Sequence, residues 1–136
     1  MGSDRYCMAF SGTGDGEKFL VKDTAAGTCA PCRGVGVLVG GFCWYLGVAG
    51  DSCDTTCSGI GLTCDVAGTV NYAGSSGTSA QCDAVLDALL GPGNVDTIPG
   101  GGLGCHNAIN GRHFENGSTT TCAEDPVAAE RACACQ

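Results

Sequence analysis

Twelve cysteines in a chain of 136 residues limit how this sequence can fold more than any other feature. At that density a short secreted chain is read as a disulfide scaffold. The number is even, and the cysteines are spread along the chain at Cys7, Cys29, Cys32, Cys43, Cys53, Cys57, Cys64, Cys82, Cys105, Cys122, Cys133 and Cys135. Twenty-four glycines and four prolines accompany them, so turns and tight joints are frequent and a small core needs covalent staples. The expectation is therefore up to six bridges. Twelve cysteines allow roughly ten thousand pairings, but short spacings remove some of them. Cys133 and Cys135 are too close in sequence for an easy bridge to each other, as are Cys53 and Cys57. The C-terminal pair is expected to tie the tail onto the helices.

Charge narrows the function classes. The net charge is −8, and no Lys or Arg occurs between Arg33 and Arg112, a stretch that holds six aspartates. Such a field repels phosphate backbones and anionic lipid, which excludes nucleic acid as a partner. No apolar run approaches the roughly 20 residues that a spanning helix needs, so no membrane insertion is expected. Aspartates are calcium ligands, yet nothing matches the D-x-[DN]-x-[DN]-G loop, and solubility accounts for the acidity. Met1-Gly2-Ser3 lacks the charged and apolar regions of a secretory leader. The oxidised reading of the cysteines then expects an extracellular or cell-surface protein whose leader has been removed.

Local patterns predict a small, disulfide-rich α+β fold with two short helices and a small antiparallel sheet or meander. Residues 1–136 are read as one stapled domain, with 1–40 a strand-and-loop extension and 41–136 a cysteine-rich module. Lys18 to Lys22 and the alternating Val35, Val37 and Val39 suggest strands. Asp51 or Ser52 can cap a first helix that carries Cys53 and Cys57 on one face and stops at Gly59 and Gly61. Thr78 with Gln81 fits a capping box for a second helix, with Cys82, Val85, Leu86 and Leu89 on one stripe. Gly91-Pro92 ends it. A Gly- and Pro-rich loop follows to about Gly104. Asn110-Gly111 and Asn116-Gly117 then predict a three-stranded meander over Cys105–Cys122. The tail from Glu124 reads equally as a helix opening at Asp125-Pro126 or as a strand over Arg131–Cys135.

Candidate chemistry is sparse. Cys29-Ala30-Pro31-Cys32 has dithiol spacing, but the residues after it do not start the helix that would lower a thiol pKa. Zinc would need a second pair from Cys133 and Cys135, or from His106 and His113. The histidines are seven apart, outside the usual ligand spacing. Cys105 and His106 are adjacent, so on a strand their side chains diverge. No G-x-S-x-G or phosphate loop is present. The expectation is no catalytic residue, no metal and no cofactor. Asn116-Gly117-Ser118 is a glycosylation sequon that a turn also explains. The aromatic cluster Phe42 to Leu46 holds the only tryptophan. A small domain wants it in the core, whereas a binding module would expose Trp44, Tyr45 or Tyr72 beside polar loops.

Several segments together resemble a known kind of module. Cys43-Trp44-Tyr45-Leu46-Gly47, Ser52-Cys53-Asp54-Thr55-Thr56-Cys57, Gly61-Leu62-Thr63-Cys64-Asp65 and Arg131-Ala132-Cys133-Ala134-Cys135 are similar to an extracellular cysteine-rich module of bacterial and microalgal secreted and surface proteins. The S-C-x-x-x-C and L-x-C part is more loosely similar to the cysteine-rich end of some Golgi N-acetylglucosaminyltransferases. The resemblance covers about residues 41–136 and implies an extracellular location and oxidised cysteines. The function expected is a non-catalytic binding or adhesion module for a surface glycan or protein. The alternative is a self-associating structural subunit of a filament, sheath or surface layer, with a metal-binding or redox protein more distant. Intact mass before and after denaturing reduction is expected to rise by two hydrogens per bridge. No rise would overturn the oxidised reading.

Overall fold

A computed structural model describes the strands Arg5–Phe10 and Lys18–Asp23 and residues 32–136. Cys7 and Cys29 lie outside the residues whose side chains are described. The chain divides into two compact units, Met1–Val35 and Gly36–Gln136. In the first, β1 (Arg5–Phe10) pairs antiparallel with β2 (Lys18–Asp23), Cys7 opposite Val21.

The second unit begins with β3 (Val37–Val39) and β4 (Phe42–Leu46), joined by Gly40-Gly41. Both glycines have positive φ, 61° and 86°, the conformation a two-residue hairpin needs to match strand twist. The valine alternation gives only three strand residues, because Gly34 turns the chain and leaves Val35 exposed. Next comes α1 (Cys53–Gly59), where the Ser52 hydroxyl accepts from Thr55 N–H. A π-helical turn, Ala67–Tyr72, is an element that the sequence patterns do not predict. It is held to the tail by Thr69, whose Oγ1 accepts from Ala134 N–H at 2.9 Å. In α2 (Ser79–Leu90), Thr78 and Gln81 form the full capping box, and Gly91 ends the helix at a φ of 93°.

The sheet is larger than the expected meander. Its six strands run β3-β4-β8-β6-β7-β5, with β5 (Val95–Ile98), β6 (Cys105–Ala108), β7 (Gly111–Glu115) and β8 (Glu130–Ala134). Three expectations are corrected here. The segment after β7 makes no third meander strand; the place beside β6 is taken by β8, so the ambiguous tail is a strand. Strand β5 forms inside the Gly- and Pro-rich segment, as a parallel edge strand against β7. The β6–β7 hairpin turns at Ile109-Asn110, while Gly111 already pairs with Ala108.

Strand alternation divides the interior into two layers. On one face Trp44, Ala132 and Ala134 pack with Val85, Leu86 and Cys82 of α2, and with Phe114. On the other face Tyr45, Cys133 and Cys135 pack with Cys53 and Cys57 of α1. Four described bridges staple elements together, each within one of these layers. Cys53–Cys133 and Cys57–Cys135 bind α1 to the tail, Cys82–Cys105 binds α2 to β6, and Cys64–Cys122 holds the loop after β7. The pairing of the C-terminal cysteines follows from dimensions. Residues i and i+4 of a helix rise about 6 Å, and residues i and i+2 of a strand advance about 6.7 Å. Two cysteines on each element therefore meet as parallel rungs, with Cα–Cα distances of 5.2 and 5.4 Å. Replacing both Cys53 and Cys133 with alanine is expected to cost about 2–4 kcal/mol in urea denaturation. An unchanged midpoint would show that this rung contributes nothing.

Candidate functional site

The cysteines offer no reactive thiol among the described residues. Cys32 and Cys43 are disulfide-bonded, as are the eight cysteines of the four bridges. Among the described residues one group has metal-ligand proximity, Asp54 with Cys64 and Cys122, and its two sulfurs are bonded to each other.

Of the three aromatic residues that a binding module would expose, two are in the interior. Trp44 has 0% exposure and its Nε1–H donates to the Val39 carbonyl at 3.0 Å; Tyr45 is buried on the opposite face of the sheet. Tyr72 is half-buried, its ring 5.6 Å from Phe42 and 6.1 Å from Trp44. The physical reason is that helices cover both faces of β4, so its inward positions on either side become core. These three residues make a packing cluster and a buried anchor, not a stacking platform.

The histidines, seven apart in sequence, are directly opposite each other on β6 and β7, with ring centroids 5.5 Å apart. Both are buried. His106 Nδ1–H donates to the Gly104 carbonyl at 3.2 Å, leaving Nε2 3.9 Å from Glu115 Oε1. His113 Nε2–H donates to Asn110 Oδ1 at 3.1 Å, and its Nδ1 has no partner. Glu115 is also buried and accepts from Leu103 N–H. Beneath the same loop, Arg131 has 0% exposure; its Nε–H donates to the Leu103 carbonyl and its Nη1–H to the Glu124 carbonyl. Burial pulls this guanidinium below its ordinary value, opposed by Glu124, Glu115, Asp54 and Asp125. The network fixes the loop before β6 and the segment before β8. Its hydrogen bonds go largely to backbone, Arg131 Nη2 and His113 Nδ1 are left without a partner, and its groups are closed to solvent, an arrangement suited to structure.

The surface of the second unit is where ligand chemistry remains. Residues 36–136 carry ten carboxylate side chains against two guanidinium groups, which accounts for the chain's entire net charge of −8. Neither cation is free. Arg131 is buried, and Arg112 Nη1–H donates to Asp87 Oδ1 at 2.9 Å with its side chain largely covered. Asp54, Asp96, Glu124 and Asp125 are exposed. The sequence shows the cation-free stretch; that the two remaining arginines are spent internally depends on tertiary contacts.

A cleft of about 260 Å³ opens on this surface between the end of β4 and α1. Leu46, Val48 and Ile60 give it apolar walls, and Asp51, Thr55 and Thr56 give it polar groups. Thr56 Oγ1 is buried with no hydrogen-bond partner. Gly47 lies against that hydroxyl, and a Cβ there would come within 2.6 Å of it. None of these residues stands out in the sequence, because the cleft depends on α1 being clamped beside β4.

No family model, curated protein or solved structure matches the chain. Its chemistry therefore has to be read from its own residues.

His106 generates a pH dependence. Burial, the largest cause, lowers its pKa from the ordinary 6.5; the Gly104 carbonyl and Glu115 raise it, and His113 and Arg131 lower it further. The unfolded chain then binds a proton that the folded chain refuses, so stability is full above about pH 6.5 and falls as pH drops below it. His106→Gln is expected to flatten that slope between pH 7 and pH 5 in denaturant titrations. A slope unchanged by the substitution would remove His106 as its source.

Proposed function

We propose that this chain is a non-catalytic, extracellular recognition module that docks a basic protein partner through an anionic surface. The observation that carries the reading is the absence of a free cation among the described residues of the second unit, where ten carboxylate side chains face two guanidinium groups that are both engaged within the fold. Such a surface attracts positive charge over roughly a Debye length, about 8 Å at physiological salt, and steers encounters with basic partners.

Other features fit. The described cysteines are oxidised, as in an oxidising compartment, and no helix among the described residues is long and apolar enough to cross a membrane. Among the described residues both histidines are buried and no thiol is free, which favours a non-catalytic role. Protein recognition is favoured over glycan recognition because Trp44 and Tyr45, the residues best suited to stack on a sugar, are inside. Self-assembly through strand addition is disfavoured at β5. That edge has only four residues and is flanked by Pro92 and Pro99, which cannot donate to a growing ladder.

Selection from a random displayed-peptide library tests the proposal. Enriched peptides are expected to be rich in Lys and Arg, and their retention to fall steeply when salt is raised. Enriched peptides without basic residues, or strong binding on a glycan array with none to peptides, would overturn it.

A further inference from the structure

We propose that the cleft between β4 and α1 is a pocket for a lysine side chain, with Asp51 as its counter-ion. The inference rests on the reading of a basic partner and adds the place and the side chain. Two observations converge on it. The walls combine exposed aliphatic surface, Val48 at 71% and Ile60 at 37% exposure, with a half-buried carboxylate, Asp51. That carboxylate has no ion pair or hydrogen bond among the described residues.

A lysine matches this combination. Its four methylenes can lie along Val48 and Ile60 while the ammonium reaches the polar end, as such side chains do over apolar surface. The ammonium is a compact charge with three rotatable donors, suited to a single carboxylate at the polar end of the cleft. A guanidinium carries five donors in a rigid fork and favours paired acceptors. In the cleft it would leave several unsatisfied. The cleft volume of about 260 Å³ exceeds one lysine side chain, which leaves room for the partner's backbone to approach. The anionic surface around it supplies attraction; the cleft supplies the choice between a lysine and other cations.

Amide NMR spectra recorded with Nα-acetyl-lysine amide test the assignment, with the norleucine analogue as the uncharged probe of similar shape. Lysine is expected to shift the amides of Gly47, Val48, Thr56 and Ile60, norleucine to leave them nearly unmoved, and the arginine analogue to bind more weakly. Asp51→Asn is expected to weaken the lysine probe about tenfold, and Asp96→Asn less than twofold. Val48→Lys, at an exposed position, places a competing ammonium at the mouth and is expected to abolish the response. It keeps the test valid if Asp51→Asn disturbs the loop. Equal shifts from norleucine, no shifts from lysine, or an unaffected Asp51→Asn would overturn the pocket. If library peptides are basic while Asp51→Asn binds them normally, the pocket fails and the basic-partner reading stands. If the peptides are not basic, the wider reading fails.

Discussion

The rest of the second unit depends on the paired rungs between α1 and β8. Helix α1 has seven residues, well short of the roughly 12–15 at which an isolated helix becomes marginally stable. It forms because Cys53 and Cys57 are bonded to Cys133 and Cys135 on a strand of nearly the same axial spacing. The same bonds fix the register of β8, and β8 fixes the sheet, since it lies between β4 and β6. Its odd residues turn to α1 and its alanines to α2, so a slip by one residue would carry Arg131 into the Trp44 layer. The sequence separations of 80 and 78 residues mean that the sheet is incomplete until the end of the chain arrives. Assembly is therefore governed by non-local contacts, which favours slow folding.

How much of this is legible in the sequence depends on how local each determinant is. The second helix is readable because the Thr78–Gln81 box and Gly91 act within a few residues. The bonding of the C-terminal cysteines to a helix is partly readable, since neither C-x-C nor C-x-x-x-C closes on itself and their spacings match. Strand β5 is not readable: Val95–Ile98 is short, flanked by glycine and proline, and becomes a strand only because β7 lies beside it. Cys105–Cys122 misleads for the related reason that an antiparallel neighbour for β6 can come from anywhere in the chain. Trp44 is ambiguous because Phe42 to Leu46 is apolar throughout, as a strand covered on both faces should be, and so has no alternation that marks an outward side. The cleft leaves no trace, since its threonines, glycines and aliphatic residues are individually ordinary.

The electrostatic arrangement carries the same division between interior and surface. Arg131 is charged and fully buried, held by two carbonyls and surrounded by four carboxylates. Removing it would leave the Leu103 and Glu124 carbonyls without donors, and those carbonyls position the loops on either side of the sheet. A guanidinium used in this way presents no donor to solvent, and Arg112 is likewise held by Asp87. The unit's positive charge is spent on architecture, and much of its negative charge, at Asp54, Asp96, Glu124 and Asp125, is left outside.

A surface of one sign carries a cost, because like charges repel and favour expansion of the chain. Ordinary small domains mix signs on the surface for that reason. Here each bridge contributes about 2–4 kcal/mol, and four described bridges together exceed the repulsion that weakly interacting exposed charges generate. The cysteines and the acidity are thus linked physically. Covalent staples reduce the need for surface ion pairs, and a surface released from that need can carry an excess of carboxylates, as the proposed docking of a basic partner requires. The bridges that leave no free thiol among the described residues are the same groups that allow the surface to be so strongly anionic.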